Sequence, residues 1–139
     1  MKWAFATLLA ATSLSACAQA PKTDETVFFS CSQPNQIRLA GKADGSALTL
    51  TLDGKLLADS GFSLDEYHRF QTQSYTVMAD KGSDHFELYS QYEADMAPAV
   101  DEKGLLIRRQ GQPDQTIVCT DAQSQLAELV DKLPAAAQP

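Results

Sequence analysis

The sequence predicts a mainly β protein: a small antiparallel β-barrel of about eight strands with one amphipathic helix at its C-terminal end. Three observations predict it. Short runs of alternating apolar and polar residues recur from residue 27 to residue 119. Turn residues such as Asp44-Gly45, Asp53-Gly54 and Lys81-Gly82-Ser83-Asp84 punctuate them at hairpin spacing. Cys31 and Cys119 stand at the two ends of the patterned stretch, where a bond between them would draw the first and last strands together.

Each element follows from local pattern. Residues 27–31 form a first apolar strand with Val27, Phe29 and Cys31 on one face. Residues 36–40 place Ile37 and Leu39 on one face and Arg38 on the other. Residues 46–52 alternate strictly, with Leu48, Leu50 and Leu52 inward and Thr49 and Thr51 outward. Asp53-Gly54 follows at once, a turn in which both residues want positive φ, and Lys55-Leu56-Leu57 resumes the strand pattern. Residues 74–79 and 85–92 flank the turn at Lys81-Gly82-Ser83-Asp84, and residues 104–109 and 115–119 flank a turn around Gly111. Ile117 and Cys119 share one face of the last strand. Thr120-Asp121-Ala122-Gln123 then reads as a capping box, and Leu126, Leu129, Val130 and Leu133 recur at helical spacing, so residues 121–133 read as a helix packed on the barrel.

The ends are of another kind. Lys2 and the apolar run 3–14 have the charge and length of a signal segment, too short to span a bilayer. Leu14-Ser15-Ala16-Cys17 closely resembles the lipobox of bacterial lipoprotein precursors. The resemblance implies removal of residues 1–16, lipidation of Cys17 and acylation of its new amine. Ala18 after the anchor implies the outer membrane, periplasmic face, because aspartate there retains such proteins at the inner membrane. The other reading of these residues is an ordinary signal peptide cut near Ala16 or Ala20. Residues 17–26 read as the lipidated cysteine and a flexible tether, 27–133 as a single domain, and 134–139 as a disordered tail.

Charge and cysteine usage narrow the function. The whole chain carries −7 at neutral pH, and −8 once Lys2 is removed. That balance disfavours nucleic acid and favours a basic partner. With Cys17 set aside, Cys31 and Cys119 are expected to pair in an oxidising compartment. No phosphate loop, nucleophile elbow or His-Glu-x-x-His occurs, so no enzyme activity, cofactor or catalytic residue is expected. His85 and Glu87 share a strand face beside Asp84, short of the four ligands of a structural zinc site, and no metal is expected. The acidic stretch 93–103 lacks the ligand alternation of a calcium loop.

Two stretches read as irregular, 61–70 and 93–103, and loops on a small β scaffold are where binding residues lie. The first holds Phe62, Leu64, Tyr67, His68, Arg69 and Phe70. Tyr67 and Arg69 could anchor a protein partner; alternatively Phe62, Leu64 and Phe70 plug the barrel while the polar residues are solvated.

The lipobox, the tether, Phe28-Phe29-Ser30-Cys31, the run Leu48-Thr49-Leu50-Thr51-Leu52-Asp53-Gly54-Lys55 and the late Cys119 together resemble the membrane-bound inhibitors of C-type lysozyme. The resemblance implies a periplasmic barrel that pushes a serine loop and a lysine loop into a lysozyme cleft. Those residues map to Ser60 in Ser60-Gly61 and to Lys81 in Lys81-Gly82-Ser83-Asp84, with Leu64 where the family has tyrosine. The candidate partner-binding residues are therefore Ser60, Tyr67, Arg69 and Lys81. The partner is a basic lysozyme or, in the alternative, another envelope protein held by a structural lipoprotein.

Overall fold

A computed structural model describes residues 24–137. The signal segment 1–16, Cys17 and most of the tether lie outside the described residues. Ten strands form: β1 (Thr26–Cys31), β2 (Ile37–Gly41), β3 (Thr49–Leu52), β4 (Lys55–Ala58), β5 (Ser63–Arg69), β6 (Thr72–Lys81), β7 (Asp84–Glu93), β8 (Val100–Arg108), β9 (Gln115–Val118) and β10 (Gln123–Ser124). They make two five-stranded antiparallel sheets, in the orders β10-β1-β2-β3-β4 and β5-β6-β7-β8-β9. The second sheet is a meander and the first is a four-strand meander with β10 added beside β1, so hairpin turns set most of the pairing.

The local rules hold where the turn chemistry is strong. Asp53 and Gly54 take φ of 50° and 80°, as a two-residue hairpin demands. Ile37, Leu39, Leu48 and Leu50 are buried and Arg38 is exposed, pairing with Glu25 at 2.8 Å. β1 departs from simple alternation. Its register with β2 shifts between Val27 and Phe29, which leaves Phe28 as an extra residue. The bulge turns Phe28 and Phe29 both inward, at 1% and 0% exposure, and leaves Val27 at 37%.

One core is shared by both sheets. Phe28, Phe29, Leu39 and Leu50 from the first meet Val77, Phe86, Leu88, Leu105 and Ile107 from the second. The expected closed barrel does not form. β1 does not pair with β9, because its free edge is taken by β10 at Phe29↔Ser124 and Ser30↔Gln123. β4 and β5, consecutive in the chain, belong to different sheets, separated by Gly61 at φ 71°. Cys31 and Cys119 are bonded, with Cα atoms 6.1 Å apart. The bond therefore joins the end of β1 in one sheet to the residue after β9 in the other, clamping two sheets rather than closing one.

The expected C-terminal helix is also replaced. Asp121 does not cap a helix. Its carboxylate accepts the N–H groups of Ser32 and Gln33, each at 3.0 Å, and the Ser32 hydroxyl. β10 then pairs with β1, the Gln125 N–H donates to the Phe28 carbonyl at 2.7 Å, and only a 3₁₀ turn follows, Leu126–Leu129. A three-residue repeat suits a 3₁₀ turn as well as an α-helix over so short a run. The inward positions were nonetheless read correctly: Leu126 and Leu129 are fully buried, and Val130 and Leu133 pack against the core. Pro134 and Ala136 in the expected tail bond the Leu64 N–H and carbonyl, each at 2.9 Å, covering the start of the β5 edge.

Because Leu126 is part of the core, Leu126→Ala should cost about 2–5 kcal/mol, as buried leucine truncations do. Urea unfolding measures it, and a loss under about 1 kcal/mol would place this segment outside the core.

Candidate functional site

The stretch 61–70 is mostly strand β5, an edge of the second sheet. Register sorts the four candidate binding residues into two places. Ser63 pairs with Met78, so Ser60, exposed just before β5, lies at the end of the sheet where Lys81 meets Asp84. Tyr67 and Arg69 lie toward the opposite end, where Arg69 pairs with Thr72. β6 runs ten residues between Thr72 and Lys81, about 30 Å at strand rise. The fold therefore sets Ser60 and Lys81 toward one end of the sheet and Tyr67 and Arg69 toward the other.

Phe62 and Leu64 are buried, at 8% and 5%, as plugs of the core. Phe70 is not: it is 91% exposed. It is the first of two residues linking β5 to β6 and takes φ of 54°, the left-handed region in which glycine is favoured and an L side chain costs about 1 kcal/mol. Arg69 lies 5.3 Å from its ring centroid. The Ala94 N–H donates to the Gln71 carbonyl at 3.1 Å, so the loop after β7 lies against this turn. That loop carries Met96, 52% exposed, and begins just after Tyr92, 45% exposed.

The outer face of the second sheet is polar. Tyr89 pairs with Gly104, and a Cβ on Gly104 would fall 2.8 Å from the Tyr89 Oη and 2.3 Å from the Ile117 carbonyl oxygen. Only glycine allows the ring this approach. The Tyr89 hydroxyl donates to Glu102 Oε1 at 2.6 Å. Burial first, then the Glu102 acceptor and its charge, push the phenol well above its ordinary value. Around this pair lies a shallow depression of about 300 Å³, lined by Ser74, Thr76, Glu87, Gln91, Leu106 and Thr116 as well.

Beside it His85 bonds two carboxylates, Asp80 through Nδ1 at 2.6 Å and Glu87 through Nε2 at 3.0 Å. A neutral imidazole has one N–H, so both bonds are made together only by the imidazolium. Burial opposes that charge, but the bonds to Asp80 and Glu87 and their negative charges outweigh it, and the His85 pKa is raised. Glu87 also pairs with Arg108 at 3.2 Å, Arg108 with Asp114 at 3.3 Å, and Asp84 with Arg109 at 3.5 Å. The three side chains weighed as a zinc corner are thus tied into ion pairs. Among the described residues no group of three His, Cys, Asp or Glu side chains is placed to hold a metal ion. Asp80 was missed by sequence reading. Counting outward from Gly82-Ser83 would have set it opposite His85, since both lie one pair beyond Lys81↔Asp84.

His85 makes stability pH-dependent. Its folded pKa lies above the unfolded value, so its contribution is fully present below about pH 6.5 and is lost as pH rises through the folded pKa. The stability lost in His85→Gln should therefore be larger at pH 5.5 than at pH 8.5, by no more than about 1 kcal/mol at so accessible a site. Urea midpoints at the two pH values read it, and a larger loss at pH 8.5 would reject the imidazolium assignment.

Comparison with protein-family models, with curated proteins and with solved structures finds no match to this chain.

Proposed function

We propose that the chain is an exported lipoprotein, anchored through Cys17 at the periplasmic face of the outer membrane, that binds another protein through the exposed ends of its second sheet. Inhibition of a basic lysozyme is its sharpest form. The observation that supports it is that Ser60, three residues before β5, and Lys81, three residues beyond Met78 on β6, both lie toward the end of the sheet where Ser63 pairs with Met78. Lys81 is exposed beside the β6–β7 turn and makes no ion pair with another described residue. Its ammonium could enter a cleft lined by carboxylates, with Ser60 at a neighbouring polar position. The long, paired β6–β7 hairpin supports such use, since a preordered tip loses little entropy on docking.

A second reading is an accessory envelope lipoprotein that holds some other partner. The separation of Tyr67 and Arg69 from Lys81 favours it, because one lysozyme cleft would not engage both ends of a ten-residue strand.

Two experiments test these readings. Replacing Cys17 with Ala should abolish palmitate labelling and the processed form; a labelled, processed variant would reject the lipid anchor. The mature protein should inhibit a C-type, G-type or I-type lysozyme in a turnover assay, and Lys81→Ala should weaken inhibition by about 2–5 kcal/mol if the pair is buried and hydrogen-bonded. No inhibition of any type at micromolar concentration would leave the accessory reading in place. Inhibition indifferent to Lys81→Ala and Ser60→Ala would keep the activity and reject this site.

A further inference from the structure

We infer that the opposite end of the second sheet, at the Phe70 turn and the Met96 loop, is a docking surface for a basic, apolar segment of a protein partner. The inference rests on the reading of the chain as a binding protein but not on the lysozyme site at Ser60 and Lys81.

Phe70 carries the argument. A large aromatic stands at a link position whose left-handed backbone favours glycine, and 91% of its surface is open to water. It gains almost no burial there, so its presence is a cost to the isolated fold on both counts. Backbone cost without packing return points to a role outside the fold. Its neighbours agree. Of the seven large apolar or aromatic residues exposed among those described, four belong to this half of the sheet: Tyr67, Phe70, Tyr92 and Met96. The bond from Ala94 to Gln71 sets the Met96 loop against the Phe70 turn, so two apolar tips stand side by side. Aromatic residues, methionine and arginine are the types enriched at the centres of protein interfaces.

Charge selects the occupant. Glu66, Glu93, Asp95, Asp101 and Glu102 stand on these strand ends and on the loop, against Arg69 and Lys103. Lys103 is already held by Asp101, and Arg69 lies over the Phe70 ring. Glu66 is set against His68 at 2.5 Å and Glu102 takes the Tyr89 hydroxyl, which leaves Glu93 and Asp95 beside the loop. The excess is negative. It repels anionic headgroups, and it repels the same end of a second copy of this chain. It attracts a cationic segment, whose apolar residues would cover Phe70 and Met96.

The test uses the mature protein in non-ionic detergent, with empty micelles as blank, and a fluorescein-labelled peptide of alternating lysine and leucine. A matched peptide of glutamate and leucine is the control. Anisotropy should show saturable binding of the lysine peptide and at least tenfold weaker binding of the glutamate peptide. Phe70→Gly and Met96→Ser should each weaken the lysine peptide at least tenfold, while Lys81→Ala leaves it unchanged. Phe70→Gly should also keep or raise Tm, because glycine fits the backbone; this readout separates a docking residue from a structural one.

A Tm lowered by several degrees in Phe70→Gly would overturn the proposal by making Phe70 structural. Equal binding of both peptides, no binding, or binding indifferent to both substitutions would overturn it as well. Binding to phosphatidylglycerol vesicles lost in Phe70→Gly would transfer the surface to a membrane. A dimer lost in Phe70→Gly would transfer it to a second copy. Lysozyme inhibition does not enter: its absence together with Phe70-dependent peptide binding would reject the Ser60–Lys81 site alone.

Discussion

The Cys31–Cys119 bond is the constraint on which the arrangement of the two sheets depends. Hydrogen bonds hold each sheet together, but among the described residues no strand ladder crosses between the sheets. The shared core between them is apolar and non-directional and by itself would tolerate sliding. The directional ties are few, among them the Thr120 N–H to the Gln33 carbonyl at 3.0 Å and the bonds of Leu64 to Pro134 and Ala136. The bond fixes one corner of the sandwich, and the Asp121 carboxylate fastens the same corner by gathering the N–H groups of Ser32 and Gln33. These bonds, the Ser32 hydroxyl first, hold the Asp121 carboxyl below its ordinary value. The bond closes 88 residues of chain, for which a chain-entropy account assigns about 4–5 kcal/mol. A covalent clamp at one corner leaves the hairpin tips unencumbered while holding their bases still.

The second sheet divides into regions with different chemistry. Its inner face supplies Val77, Phe86, Leu88, Leu105 and Ile107 to the core. Its outer face is knit by Tyr89–Glu102 and by the carboxylates around His85, so its polar side chains are largely committed to one another. What remains uncommitted lies at the ends, at Ser60 and Lys81 on one side and at Phe70 and Met96 on the other. The separation suits a display function, because surfaces at opposite ends of one rigid hairpin keep a fixed spacing.

Much of the first sheet was legible in the sequence. Strict alternation over Leu48–Thr49–Leu50–Thr51–Leu52 and the Asp53-Gly54 turn have one reading each. The structure follows the turn and keeps Leu48 and Leu50 inward, but the strand begins only at Thr49, after Ala47 at φ 53°, and Leu52 is half-buried. Closure was not legible. The choice between barrel and two sheets turns on which strand takes the free edge of β1, and it is taken by Gln123 and Ser124, two residues too short to carry a pattern. β5 was hidden for a different reason. Only Leu64 on it is buried, and the strand runs past the core with both faces wet beyond it, so no alternation marks it. Phe70 shows the limit at the candidate site: an aromatic in a turn reads equally well as a plug or as an anchor, and only its surroundings in three dimensions tell them apart.

The return of the last residues to the first strand has a consequence for the order of assembly. Phe28 and Phe29 are buried partly under β10 and the turn that carries Leu126 and Leu129, segments made almost a hundred residues later. A nascent chain that has completed its first four strands still presents an open β edge and two uncovered phenylalanines. Contacts of such long sequence separation form late and fold slowly. The N-terminal half alone would expose apolar surface until the C-terminal segment joins it, and would need shielding during that interval. Loss of only the final seventeen residues, 123–139, would leave nine strands present and the first sheet unfinished.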